Sequence, residues 1–188
     1  MNENDLRVIK TKNALFNALI ELMKDKTFEE IKVSDICNKA LINRSTFYAH
    51  FDDKYDLLSK CINDLKESLT NKLQDNKKVV STKEYYIEMI KLFLDFIDEK
   101  KEQYLAIAKS NRNSILFDII YDVVDKDIMM HLQNDAKVKN NNIPNEIIGN
   151  FYMGAVGTVA ITWIRNINKY TKEDIIAYLD NLIPNKID

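Results

Sequence analysis

Glycine and proline are almost missing from this chain, which has three glycines and two prolines in 188 residues, where average usage would be roughly 7% and 5%. So few turn formers exclude a sandwich or barrel built on many tight turns, and a glycine-cradled nucleotide site. Cysteine is scarce as well: Cys37 and Cys61 sit on apolar helical faces with no second Cys or His at ligand spacing. They read as small core residues, and neither a disulfide framework nor a metal site is indicated. No apolar stretch approaches the ~20 residues of a membrane helix, and the opening MNENDLRVIK has no apolar signal core. We therefore expect a chain that stays in the cytoplasm and has no membrane partner. A basic surplus is lacking too, since the net charge is −2 and residues 1–60 hold ten Lys or Arg against ten Asp or Glu. Any nucleic-acid partner must be met by a local arrangement of cations. His50 has no plausible partner nucleophile or metal ligand nearby in sequence, and the only other histidine is His131, so catalysis is not expected, nor is a cofactor.

What is present is a helical composition, 46% hydrophobic and 30% charged. Phe16, Leu19, Ile20 and Met23 follow the i, i+3, i+4, i+7 spacing of one helix face and predict a first helix from about Leu6 to Asp25. Val33, Ile36, Cys37 and Ala40 repeat the spacing over a short second helix that breaks at Leu41 to Asn43. Asn43 is a good N-cap for a third short helix running to about Phe51. Asp52 and Asp53 cap a fourth and longer one, striped by Leu58, Cys61, Ile62, Leu65 and Leu69. Long aromatic-rich helices follow, roughly Lys83 to Glu99, Lys101 to Ser110, Ser114 to Ala136, Asn145 to Asn168 and Thr171 to Ile183. The expected fold is all-α with about nine helices. It divides into an N-terminal three-helix helix-turn-helix domain, residues 1–65, and a helical C-terminal domain, residues 66–188.

Two short helices joined by a tight turn, the second starting on polar and cationic residues, make a unit whose second helix can lie in the DNA major groove. In that helix Phe47 and Phe51 are four residues apart and face inward with Ile42, which leaves Arg44, Ser45, Thr46, Tyr48 and His50 for the outer faces. Arg44 can pair bidentately with a guanine edge, Thr46 offers a hydroxyl and a methyl, and Tyr48 can reach a phosphate or a base. No acid lies between Lys39 and Phe51, and Lys54 adds a cation in the first turn of the fourth helix.

The segment Phe28-Glu29-Glu30-Ile31-Lys32-Val33-Ser34-Asp35-Ile36, followed by Arg44 to Lys54 with its Thr-Phe-Tyr-x-His-Phe-x-x-Lys core, closely resembles the DNA-binding domain of the TetR family of transcriptional regulators. The resemblance covers about Val8 to Leu65. It implies contacts to bases and phosphates of double-stranded operator DNA from Arg44, Ser45, Thr46, Tyr48, His50 and Lys54. It also implies a helical C-terminal domain that dimerises and often binds a small effector. Two positions depart from the family pattern: Leu41 stands where glycine is usual in the turn, and Lys32 where threonine is usual before the second helix. Neither removes a DNA-facing side chain, but a left-handed turn would cost a leucine roughly 1 kcal/mol.

All three glycines, Gly149, Gly154 and Gly157, fall in one predicted helix that is apolar nearly all round. Glycine inside a helix costs about 1 kcal/mol relative to alanine, so their concentration points to close helix approach, and the second buried side to another subunit. The resemblance places the homodimer contact on the last two long helices, about 145–168 and 171–183. Most aromatics lie after residue 80, where they serve as core or line an effector pocket. The function expected is a sequence-specific DNA-binding regulator, a repressor released from a palindromic operator by a small effector. The alternative is a co-regulator of the same fold that acts through a protein partner. The fourth helix is the expected route of regulation, because Lys54 lies at the DNA end and its apolar stripe runs toward the effector domain.

Overall fold

The computed structural model describes residues 5–75, 82–111, 143–166 and 169–183, and among them every regular element is an α-helix. In chain order these are α1 (Leu6–Leu22), α2 (Val33–Ala40), α3 (Arg44–Tyr48), α4 (Lys54–Asp75), α5 (Thr82–Asp98), α6 (Lys101–Ser110), α7 (Asn145–Arg165) and α8 (Lys172–Leu182). The helix expected over Ser114 to Ala136 lies outside the described residues. No described helix is long and apolar enough to cross a membrane.

The chain divides into two compact units, Met1–Asp64 with Glu102–Ile120, and Leu65–Lys101 with Tyr121–Asp188. The N-terminal stretch through Asp64 and α6 fall in one unit. There Ile107 joins a core of Leu15, Leu19, Met23, Phe28, Ile31, Ile36, Phe47, Phe51, Leu57 and Leu58, with Tyr104 packed at its edge. Cys37 is buried in this core and Cys61 packs against it. Burial pushes the Cys61 thiol up to about 12, with Asp64 adding to the shift and Lys12 opposing it. Neither thiol is ionised near neutral pH, as inert core cysteines should be.

Local chemistry sets the element ends. The Asp5 carboxylate accepts from the Arg7 N–H at 2.9 Å and starts α1. Lys32 has no accepting side chain for α2, but Asp35 reaches back to the Lys32 N–H at 3.1 Å and supplies half of a capping box. α2 ends in a Schellman motif: the Leu41 N–H donates to Asn38 O at 3.3 Å and the Ile42 N–H to Cys37 O at 3.0 Å. That motif needs a left-handed residue, and Leu41 adopts φ 57° and ψ 39°. Asn43 occupies the N-cap of α3 with extended backbone, yet its side chain makes no cap hydrogen bond, so its capping role is limited to that backbone conformation. Asp53 caps α4 as expected, its Oδ1 accepting from the N–H groups of Tyr55 and Asp56, each at 2.8 Å.

In the second unit α8 packs against both α5 and α7. Ile87, Ile90, Leu94 and Ile97 of α5 are buried, as are Ile148, Ala160, Trp163 and Ile164 of α7 and Ile175 and Leu179 of α8. Trp163 donates its indole N–H to Tyr170 O at 3.1 Å, closing the turn before α8. The Lys83 ammonium reaches Asp180 at its carbonyl (2.6 Å) and its carboxylate (3.1 Å), and Lys172 pairs with Asp95.

Candidate nucleic-acid interface

α3 is only five residues long, so its orientation comes from its anchors rather than its own hydrogen bonds. Phe47 and Phe51 are fully buried, with ring centroids 5.7 Å apart. They fix the inner face of α3 in the core, while Ile42 packs against the same cluster. The opposite face therefore has to meet solvent. Arg44 and Ser45 are exposed, Thr46 and His50 are half-buried, and Tyr48 is 53% exposed. An edge-on contact with Phe47, centroids 5.4 Å apart, restrains the half-exposed Tyr48 ring. The five residues expected on the outer face are thus exposed or half-buried.

His50 closes that surface at the end of α3. Burial lowers its pKa below the ordinary value, and the cations of Lys12 and Lys60 push it the same way. Lys60 is fixed nearby: its ammonium donates to His50 O at 3.2 Å, pairs with Asp56 at 2.9 Å and lies over the Phe51 ring. Two cations beside a neutral imidazole make this edge attractive to an anion. Sequence reading did not include Lys60, and its place one helical turn beyond Asp56 on α4 was the available signal.

Lys54 is placed differently from its five companions. Its ammonium donates to Phe28 O, Glu29 O and Ile31 O, each at 2.8 Å, and lies 4.9 Å from the Phe28 ring centroid and 5.4 Å from that of Tyr55. An ammonium has three N–H donors, and all three are engaged within the fold. Burial lowers its pKa, with Glu29 and Asp53 opposing that shift. Lys54 is thus the pin that ties the start of α4 to the turn before α2. Toward solvent it offers positive charge at a helix N-terminus rather than a mobile side chain.

Two helices joined by a left-handed turn, the second presenting polar and cationic side chains from a buried aromatic base, define a helix-turn-helix DNA-binding protein. Residues 15–61 match the family model described as bacterial regulatory proteins, tetR family, and residues 84–185 match the model of a transcriptional regulator C-terminal region. The chain belongs to the TetR family of transcriptional regulators. Regulators of this family bind DNA and are not enzymes.

An HTH-type transcriptional regulator of Bacillus subtilis (strain 168), YxbF, is 34% identical over 58 residues, a match that spans 31% of this chain and 15% of that protein. The solved structure of a TetR transcriptional regulator from Streptococcus agalactiae 2603V is similar with a TM-score of 0.61 and 25% identity, over 95% of this chain and 96% of that one. The regulator FadR from Bacillus subtilis, solved in complex with stearoyl-CoA, shares the fold with a TM-score of 0.66 and 16% identity, over 94% of this chain and 99% of that one.

Proposed function

We propose that this protein is a cytoplasmic homodimeric repressor that binds a palindromic operator through α3 and is released by a small effector held in its C-terminal half. The observation that carries the DNA reading is the outward row Arg44, Ser45, Thr46, Tyr48 and His50 over buried Phe47 and Phe51. With α3 in the major groove, Arg44 reads a guanine edge, Thr46 contacts a thymine methyl or a base edge, and Ser45, Tyr48 and His50 hold phosphates or bases. Lys54 contributes charge at the N-terminus of α4 and keeps the unit in register.

Dimerisation is supported by the outer faces of α7 and α8. Ile147, Phe151, Gly154 and Thr158 follow one helical stripe and are all exposed, and Tyr178 and Leu182 are exposed on α8. A Cβ built on Gly154 or Gly157 meets nothing within 4 Å inside the protomer. These glycines therefore do not serve a close approach within the chain, and a second copy is the partner their small size fits. For the effector, an acyl-CoA is the first ligand class to test, because the FadR relative was solved with one.

The test is selection of bound sequences from random duplex DNA by the full-length protein. Recovery of an inverted repeat supports the reading. Recovery of no enriched site overturns it in favour of a co-regulator that acts through a protein.

A further inference from the structure

Leu41 holds a conformation that its own fold does not reward. The turn between α2 and α3 needs a left-handed residue, and Leu41 takes φ 57° there while its N–H donates to Asn38 O and the Ile42 N–H to Cys37 O. Glycine would make the same turn without the steric cost that a Cβ brings. Packing does not offset that cost inside the protomer, because the leucine side chain is 93% exposed. A single exposed leucine is ordinary on a protein surface. One that stands on a strained backbone is not, since strain of this kind collects at binding sites.

The neighbours of Leu41 in the chain indicate what it meets. Asn38, Lys39, Asn43, Arg44 and Ser45 are all exposed, so the leucine is an apolar point among amides and cations. No acid interrupts the stretch from Lys39 to Phe51, a charge pattern that suits DNA. Ile42 packs against the core and Asn43 begins α3 from an extended backbone, so the turn is fixed on both sides of its left-handed residue. Leu41 stands three residues before Arg44, a reach of at most about 11 Å along the backbone. At about 3.4 Å per base-pair step, that distance spans three base pairs. The apolar feature that the major groove offers a leucine is the methyl group of thymine.

We propose that Leu41 is a further recognition residue, whose side chain packs on the methyl group of a thymine within three base pairs of the pair read by Arg44. This rests on the reading of α3 as the recognition helix and extends the reading surface into the turn before it. The strained leucine then has a use that glycine could not serve. Replacing it by glycine relieves the backbone and removes the contact, so stability and operator preference move in opposite directions.

The experiment uses the full-length protein and operators selected from random duplex DNA. Sites recovered by the wild type should carry thymine at a fixed position within three base pairs of the pair whose preference Arg44→Ala relaxes, and sites recovered by Leu41→Gly should not. Replacing that thymine by deoxyuridine removes only the methyl group. It should weaken wild-type binding about fourfold, the worth of one buried methyl group, and leave Leu41→Gly unchanged. A turn merely loosened by glycine would instead lower affinity for the thymine and uracil operators alike. Wild-type binding indifferent to the missing methyl, an equal loss in both proteins, or the same thymine preference in Leu41→Gly overturns the proposal while leaving the DNA reading intact. A wild type with no preferred sequence overturns both.

Discussion

Leu41 carries the only positive φ of a non-glycine residue among the described residues, and its side chain is 93% exposed. No packing compensates for the conformation, which costs an L-residue roughly 1–2 kcal/mol, while glycine would add about 0.5–1 kcal/mol of unfolded-state entropy. Leu41→Gly should therefore stabilise the protein by up to about 1 kcal/mol in urea unfolding; a loss of stability would contradict the turn geometry. Lys54 and Tyr48 make a contrasting pair. Lys54→Met strips three carbonyls of their donor and should destabilise the unit by about 1–2 kcal/mol. Tyr48→Ala should stay within about 0.5 kcal/mol of wild type, as an exposed position does, while weakening operator binding. Similar melting of the two variants would refute the pin assigned to Lys54.

His50 supplies a pH signature. Because its folded pKa is lowered, its neutral form favours the fold. That contribution is fully present above the unfolded pKa of about 6.5 and is lost as pH falls from there through the folded pKa. Phosphates at the α3 face act in the opposite sense, because they favour the protonated ring. Operator affinity should accordingly rise as pH drops from 7 toward 6, and His50→Gln should flatten both profiles. An operator affinity that keeps the same pH slope in His50→Gln would remove His50 from the interface.

At the scale of elements, the helix-turn-helix was legible because its signals are local. The four-residue spacing of Phe47 and Phe51 sends the other side chains of α3 outward, and Asp53 caps α4 as its type and position imply. What was not legible depends on distant partners. Nothing near Lys54 in sequence shows that its ammonium finds Phe28, Glu29 and Ile31, or that α6 leaves the C-terminal half to pack with α1. Asn43 shows the limit of local rules: its residue type suits a side-chain cap, and the side chain does not make one. The glycines of α7 point in sequence to close helix approach, and within the protomer a Cβ at Gly154 or Gly157 would meet nothing within 4 Å. Gly154→Leu should therefore leave the protomer folded and helical while shifting sedimentation from dimer to monomer. A dimer undisturbed by the leucine would place the interface elsewhere.

For the whole molecule, two α3 helices related by a two-fold axis would read an inverted repeat with half-site centres one helical turn, or a multiple, apart. One half-site alone would bind weakly, so dimerisation and operator recognition stand together. The claim on which this rests is that the outer face of α3 reads sequence and that Arg44 reads it directly. Selection from random DNA by Arg44→Ala, beside the wild type, tests it most directly. The account predicts that the variant recovers the same inverted repeat with preference relaxed at one base pair per half-site, worth about 1–3 kcal/mol of discrimination. An identical preference at every position in the folded variant would contradict it.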